Sequence, residues 1–248
     1  MAEGLQVFIL GAARSGTSIT YYAMREIFGL PGPGESHVMP VFQRVIHEFW
    51  LYRKTFVDAS SNDLAVKLSP AEFRRHTHEF VRMFYHKQFP ERRWVDKTPG
   101  AEAVVGASLV QESFPEARII FTKRTGIEVV ESYRKKFSAG FSDACDAWAG
   151  AMESLLRIRE QIRNGILVDQ YDLTNAPRET AARIASHLGH PERSGDLAEF
   201  FSRRRTDQKS AHDWSRRLTL ADVDWSEEER DIFTRVCGQA MRQFEYPM

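Results

Sequence analysis

The segment at residues 7–18, VFILGAARSGTS, constrains the fold more than any other part of the sequence. It begins as an apolar, strand-like run, becomes a loop of small residues and leads into a helical pattern. In such a unit, backbone N–H groups at the start of the helix can bind a phosphate. The glycine spacing is that of the P-loop, G-x-x-x-x-G-K-[ST], except that Thr17 replaces the lysine. The cation is instead Arg14, so the loop lacks the lysine that contacts the β- and γ-phosphates of ATP or GTP.

The composition gives no sign of a nucleic-acid binder, a disulfide-rich or zinc protein, or a membrane-spanning protein. The 248 residues include 34 basic and 34 acidic side chains, so the zero net charge does not favour general binding to nucleic acids or membrane surfaces. Cys145 and Cys237 lack the spacing of a disulfide framework or a zinc site. No apolar run approaches the roughly 20 residues that span a bilayer. We therefore expect one cytoplasmic domain over residues 1–248, with any anion site confined to a local cluster of charges.

Apolar strand-like runs alternate with amphipathic helical patterns along the chain. This order predicts an α/β fold in which helices cover both faces of a parallel β-sheet. Ligands of such sheets bind where the strands end, at their carboxyl edge. The predicted strands lie at residues 7–10, 93–99, 117–124 and 165–170, and the predicted helices at residues 19–28, 41–52, 70–89, 101–114, 127–137, 143–164, 178–188 and 226–244.

Charged side chains lie at the ends of the predicted strands. Lys97 is near the end of one strand and Arg124 is at the end of the next, with Ser132 on the helix that follows. The loop that contains Arg14 is expected to bind one phosphate. Arg124 and Ser132 are placed to contact a second anion. The pattern therefore suggests a site for a nucleotide with two separate phosphate positions.

Several of these residues resemble those of sulfotransferases that use 3′-phosphoadenosine 5′-phosphosulfate (PAPS). The loop at residues 12–18 resembles their phosphosulfate-binding loop, and the spacing of Arg124 and Ser132 resembles their 3′-phosphate motif. Tyr171, in the sequence Gln-Tyr-Asp-Leu, is similar to the tyrosine of their Tyr-Glu-Asp-Leu sequence. The order and spacing agree from residue 7 to about residue 190. The resemblance implies a P-loop NTPase-like sulfotransferase fold.

The resemblance is closest to the branch that contains tyrosylprotein sulfotransferases and related bacterial sulfotransferases. In that branch, a glutamate in a Gly-Glu sequence follows the loop arginine at the spacing of Arg14 and Glu35. Glu35 lies in a Pro- and Gly-rich segment, residues 30–40, for which we predict irregular structure. The branch also has a lysine before a Thr-Pro turn, as Lys97 precedes Thr98 here.

The resemblance implies a mechanism that uses PAPS as sulfuryl donor, forms adenosine 3′,5′-bisphosphate (PAP) and needs no metal. Glu35 would take a proton from the acceptor hydroxyl or amine, while Arg14 and Lys97 neutralise charge on the transferred group. Arg124 would hold the 3′-phosphate together with Ser132. The residues assigned to the 5′-phosphate are Ser15, Gly16, Thr17 and Ser18.

Some roles stay open at this point. His37, two residues after Glu35, is an alternative base or a substrate contact. Tyr171 either contacts the nucleotide or belongs to the core. Lys209 and Trp214 lie in a polar, basic segment that either folds over the nucleotide or forms a surface turn.

The alternative functions are a P-loop small-molecule or nucleotide kinase with a modified loop and a non-catalytic nucleotide-binding protein. The missing loop lysine disfavours the kinase, and the presence of both Glu35 and Lys97 disfavours the non-catalytic protein. The acceptor of a sulfotransferase would be a small molecule, a carbohydrate or a peptide. A cytosolic small molecule or carbohydrate is favoured, and the sequence leaves the oligomeric state open.

Overall fold

The computed structural model describes residues 4–56, 63–206 and 216–248, with only the backbone of residues 204–206. In this part of the chain, four parallel strands form one sheet. The strands are β1 (Gln6–Gly11), β2 (Trp94–Pro99), β3 (Arg118–Lys123) and β4 (Gly165–Asp169). Their order across the sheet is β2-β1-β3-β4, which confirms the predicted parallel sheet.

The strands alternate with helices along the chain, as the sequence predicts. Short 3-10 helices lie at Arg159–Gln161, Pro191–Arg193 and Leu220–Asp222. The α-helices of the described residues are α1 (Thr17–Phe28), α2 (Val38–Phe56), α3 (Leu64–Lys67), α4 (Pro70–Gln88), α5 (Ala101–Val105), α6 (Ala107–Ser113), α7 (Gly126–Phe137), α8 (Phe141–Ile158), α9 (Gln170–Asn175), α10 (Pro177–His187), α11 (Ser194–Thr206) and α12 (Glu227–Gln243).

Two apolar clusters cover opposite faces of the sheet. Side chains alternate along β1, so that Phe8 and Leu10 belong to one cluster while Val7 and Ile9 belong to the other. Residues of α4 to α8 and α12 complete the first cluster, and residues of α1, α10 and α11 complete the second. Both faces of the sheet are therefore covered by helices, and the predicted α/β architecture is confirmed.

Two predicted helices are interrupted or end early in the structure. The helix predicted at residues 101–114 is divided at Gly106, because glycine lowers helix propensity by about 1 kcal/mol relative to alanine. The helix predicted at residues 143–164 ends at Ile158 and continues as a single 3-10 turn. Ile162 is then buried in the first apolar cluster, so the chain leaves the helix axis and returns to the sheet.

The connections after β1 and β3 lead to opposite faces of the sheet. Helix α1, which follows β1, contributes residues to the cluster on one face of the sheet. Helix α7, which follows β3, contributes residues to the cluster on the other face. Between two such neighbouring strands a crevice opens at the carboxyl edge, where ligands of open α/β sheets bind. The loop after Gly11 and the side chain of Arg124 flank this crevice.

His187, at the end of α10, gives the fold a pH dependence. Burial and the nearby charge of Arg118 lower the pKa of His187 from 6.5 to about 4. The unfolded chain therefore binds a proton here between pH 6.5 and pH 4, whereas the folded chain does not. We expect the melting temperature to fall as the pH decreases through this range, and to fall less in His187→Gln.

The control for this measurement is His76→Gln, which removes an exposed histidine of α4. Thermal unfolding of the three proteins between pH 7.5 and pH 4 makes the comparison. An equally steep decline in His187→Gln and in the wild type would show that His187 does not cause the loss of stability.

Candidate active site

The loop between β1 and α1, residues 12–16, is held in shape by Ser15. The Ser15 hydroxyl donates to the Ala12 carbonyl at 2.6 Å and lies 2.8 Å from Thr122 Oγ1, and the side chain is fully buried. The Ser15 N–H also donates to the Ala12 carbonyl, at 3.3 Å. Only glycine fits at Gly11, because its φ is 149° and a Cβ would lie 2.2 Å from the Thr122 carbonyl oxygen. Ser15 thus fixes the loop through bonds inside the protein.

The N-terminus of helix α1, which is the positive end of its dipole, lies beside this loop. It begins at Thr17, after Gly16 in a left-handed conformation with φ 95°. The N–H groups of the first turn, which includes Thr17 and Ser18, have no carbonyl partner within the helix. No acidic side chain lies in this turn, so nothing in it neutralises the positive end of the helix dipole. The start of α1 is therefore suited to bind an anion.

Arg14, Arg124 and Ser132 lie together beside the start of α1. Arg14 Nε donates to Ser132 Oγ at 2.9 Å, and Arg124 Nη1 donates to the Arg14 carbonyl at 3.4 Å. Arg124 Nε also forms an ion pair with Glu128 Oε2 at 2.7 Å. Sequence reasoning missed Glu128, although its i,i+4 spacing from Arg124 on α7 could have found it.

Arg14 occupies a position that favours a bound anion. Burial, followed by the positive charge of Arg124, lowers the pKa of the Arg14 guanidinium. Arg14 also has a φ of 67°, a left-handed conformation that is uncommon for residues other than glycine. An anion between the two arginines would reduce their repulsion.

Glu35, His37 and Lys97 form a second group of bonded side chains. Lys97 Nζ lies 2.6 Å from Glu35 Oε1 and 3.4 Å from Ser18 Oγ. His37 Nε2 lies 3.2 Å from Glu35 Oε2. The Lys97 side chain is 7% exposed and the Glu35 side chain is 40% exposed. A solvent-accessible carboxylate is thus held against a buried cation at the start of α1.

The irregular segment that carries Glu35 is shorter than the predicted range of residues 30–40. Helix α2 already begins at Val38. Pro40 is tolerated in its first turn, because the missing N–H of proline would have no helical partner there. Glu35 and His37 therefore lie directly before the start of α2.

The two groups approach the loop from opposite sides. Lys97 belongs to β2 and Arg124 follows β3, and these strands flank β1. The side chain of Arg14 bonds with Ser132, on the β3 side, while Glu35 is bonded to Lys97 on the β2 side. Arg14 is thus bonded on the β3 side of the loop and Glu35 on the β2 side, although the sequence assigned both to the same chemical step.

Tyr171 is the other predicted nucleotide contact among the described residues. Tyr171 lies in the short helix α9 and not at the end of a strand. Its N–H donates to Asp169 Oδ1 at 3.0 Å, and its ring lies under the guanidinium of Arg217 at 4.7 Å. Lys209 and Trp214 lie outside the residues that the structure describes.

Sequence reasoning missed Asp169, which connects distant parts of the chain at the carboxyl edge of the sheet. Its side chain is buried, and its Oδ2 atom accepts from Lys123 at 2.7 Å, from Arg217 at 2.9 Å and from Tyr246 at 3.0 Å. These partners are far from Asp169 in sequence, so no local pattern predicts the cluster. It attaches the C-terminal residues to the ends of β3 and β4.

Among residues 4–56, 63–206 and 216–248, no three His, Cys, Asp or Glu side chains are grouped so that they could hold a metal ion. Over the same ranges, no helix combines the length and the apolar character needed to cross a membrane.

Comparison with solved structures identifies proteins of the same fold. The sulfotransferase domain of the Synechococcus PCC 7002 olefin synthase is 18% identical, with a TM-score of 0.58 over 98% of this chain and 95% of the other. The sulfotransferase domain from the curacin biosynthetic pathway is 16% identical, with a TM-score of 0.54 over 98% of both chains. Sulfotransferase STF9 from Mycobacterium avium is 12% identical, with a TM-score of 0.53 over 100% of this chain and 79% of the other.

No curated protein sequence matches the chain. A family model does match, over residues 6–194, and its description is "Sulfotransferase family". The matched residues include the loop at the start of α1, both groups of bonded side chains and all four strands of the described sheet. The chain therefore belongs to the Sulfotransferase family.

Proposed function

We propose that this protein transfers a sulfuryl group from PAPS to a hydroxyl or amine acceptor. The proposal rests on one observation: two groups of charged side chains flank the start of α1. Arg14 and Arg124 lie on the β3 side, and Lys97 lies on the β2 side beside Glu35. PAPS has the matching chemistry, because it carries two separate phosphates and a negatively charged group that is transferred.

The start of α1 is proposed to bind the 5′-phosphate. The N–H groups of Gly16, Thr17 and Ser18 would donate to it, with the hydroxyls of Thr17 and Ser18 as further donors. Ser15 is proposed to act mainly through the shape of the loop, because both of its polar groups already bond to Ala12. This division of roles explains why a buried serine lies inside a loop for a charged ligand.

Arg124 and Ser132 are proposed to bind the 3′-phosphate. The ion pair with Glu128 holds the Arg124 guanidinium at the end of β3, where it needs little rearrangement to meet a ligand. Arg14 would contact the same nucleotide from its position beside Ser132. Its second proposed role, the neutralisation of charge on the sulfuryl oxygens, would require its side chain to leave Ser132.

Glu35 is proposed to act as the general base. PAPS, when bound, supplies a sulfuryl group whose bond to the 5′-phosphate breaks as the acceptor oxygen or nitrogen bonds to sulfur. Glu35 would take the proton of the acceptor with its carboxylate, whose side chain is 40% exposed. Lys97 would stabilise the negative charge that develops on the sulfuryl and bridging oxygens. His37 remains the alternative base, because its ring lies 3.2 Å from the same carboxylate.

The proposed acceptor is a small molecule or carbohydrate in the cytoplasm. The exposed side of Glu35 gives the hydroxyl or amine of such an acceptor access to the base. Mass spectrometry of an acceptor panel incubated with PAPS would identify the product by the added mass of one sulfuryl group.

Thermal unfolding with PAP tests the nucleotide site. At 100 times its dissociation constant, a ligand stabilises the folded state by about 2.7 kcal/mol. For a chain of this size, each kcal/mol raises the melting temperature by about 2–4 °C. We therefore expect PAP to raise the melting temperature by roughly 5–10 °C in the presence of EDTA, without added Mg²⁺.

Two other nucleotides, measured in parallel, show whether the 3′-phosphate is recognised and whether the kinase alternative holds. Adenosine 5′-monophosphate, which lacks the 3′-phosphate, should give a smaller shift than PAP. ATP with Mg²⁺ represents the kinase alternative. If saturating PAP gave no shift while ATP with Mg²⁺ stabilised the protein, the sulfotransferase proposal would be wrong and the kinase would replace it.

A further inference from the structure

A buried carboxylate that the proposed chemistry does not use lies beneath the segment that carries Glu35. Asp96, on β2, is 2% exposed. It accepts a hydrogen bond from Ser36 Oγ at 2.5 Å, another from Thr98 Oγ1 at 3.2 Å, and a third from the hydroxyl of Tyr85. Burial raises the pKa of Asp96, and the three hydroxyl donors oppose this shift. Such a network is costly to bury unless all of its members are bonded.

Two members of this network also hold the backbone at residues 36–38. Ser36 Oγ, which donates to Asp96, accepts from the Val38 N–H at 3.3 Å. Thr98 Oγ1, the second donor to Asp96, accepts from the His37 N–H at 3.2 Å. Asp96 is therefore connected to the main chain next to Glu35 through two hydroxyl groups.

His37 shows why this segment needs such support. Its φ is 54°, a left-handed conformation that is unfavourable for a residue other than glycine. Conformations of this kind cost about 1–3 kcal/mol and persist only where surrounding contacts enforce them. Such contacts are the hydrogen bonds that the His37 N–H donates to Thr98 Oγ1 and that the Val38 N–H donates to Ser36 Oγ.

Lys97 contacts the segment at residues 35–38 from the opposite face of β2. Side chains alternate along a strand, so Asp96 and Thr98 share one face while Lys97 points to the opposite face. Lys97 Nζ bonds Glu35 Oε1 at 2.6 Å. Three consecutive residues of β2 thus hold the segment: two fix its backbone and one bonds its carboxylate.

We propose that Asp96 is a positioning residue that acts through Ser36 and Thr98 to hold the Glu35 carboxylate against Lys97. The inference rests on the proposed role of Glu35 as base. Without the bond to Ser36, the backbone of residues 35–37 relaxes and the carboxylate leaves its bonding distance from Lys97. A displacement of about 1 Å at a catalytic group can lower the rate by about 100-fold.

The test uses Ser36→Ala, which removes one of the two hydroxyl connections to Asp96, retains the one through Thr98, and leaves Glu35, His37 and Lys97 unchanged. We expect kcat to fall by about 10- to 100-fold, while the PAP dissociation constant and the acceptor KM change by less than about 3-fold. Ser36→Thr keeps the hydroxyl and should restore most of kcat. Ser108→Ala, which removes a hydroxyl that bonds only a local carbonyl in the described residues, is the control.

Hydrogen exchange of the full-length protein provides a readout that does not depend on turnover. In Ser36→Ala and in Asp96→Asn, the amides of residues 35–38 should exchange faster than in the wild type, while those of α1 and β3 keep their protection. Unchanged exchange at residues 35–38, or a kcat for Ser36→Ala equal to that of the wild type, would overturn the inference. A wild type that binds PAP but transfers no sulfuryl group would instead contradict the proposed function, and the exchange result would still decide whether Asp96 holds the segment.

Discussion

Glu35→Gln is expected to lower kcat by about 10²- to 10⁴-fold, the usual contribution of a general base. Glutamine keeps an amide oxygen that can accept the hydrogen bond of Lys97, so the segment should retain its shape. The side chain can no longer take the proton of the acceptor. PAP binding should be unchanged, because Glu35 lies on the β2 side and the arginines lie on the β3 side. Steady-state turnover and PAP titration of the same preparation measure the two quantities.

The matched variant is His37→Gln, which alters the other candidate base in the same segment. If Glu35 is the base, His37→Gln should lower kcat by less than about 10-fold. A large loss in His37→Gln together with near-normal turnover in Glu35→Gln would assign the base to His37. The pair of variants therefore decides between the two residues.

Arg124→Ala is expected to weaken PAP binding by about 10- to 100-fold, since a hydrogen bond to a charged group contributes about 1.5–3 kcal/mol. The same change leaves the buried carboxylate of Glu128 without its ion-pair partner, which lowers the stability of the ligand-free protein. The affinity should therefore be measured directly, by calorimetric titration at a temperature where the variant is folded. Ser132→Ala removes one hydroxyl and should weaken PAP binding by a smaller factor.

Lys136→Ala is the control for charge, because it removes an exposed positive side chain from the same helix, α7. Its PAP affinity should stay within about 2-fold of the wild type, as expected for an exposed charge in high dielectric. Equal affinity in Arg124→Ala and Lys136→Ala would mean that the 3′-phosphate binds elsewhere.

The fold was predictable because its signals are local. The strands β1, β3 and β4 each contain a short apolar run, and the long predicted helices carry amphipathic patterns. Their alternation along the chain was enough to indicate a parallel sheet covered on both faces. Gly106 divides one predicted helix through its low helix propensity. Another predicted helix ends early, and the chain after it returns to the sheet, where Ile162 is buried in the first apolar cluster.

The sequence allowed us to predict which residues belong to the candidate site, but few of the contacts between them. The loop of Arg14 and the pair Arg124 and Ser132 could be found from spacing, and the structure brings these three residues together. The bond between Arg14 and Ser132 could not be read from the sequence, because it depends on how β1 and β3 lie side by side. The same holds for Asp96, whose partners come from three separate segments.

The order of strands in the sheet has a consequence for the synthesis of the protein. β1 lies between β2 and β3, and the hydroxyl of Ser15 is bonded to Thr122, far along the chain. Such distant parallel pairs form slowly, because a long connection must be closed before any contact forms. On the ribosome, we therefore expect the loop at residues 12–16 to take its final shape only after β3 has emerged. We expect nascent chains that end before residue 118 to leave PAP unbound, because they contain the loop but lack Thr122, Arg124 and Ser132.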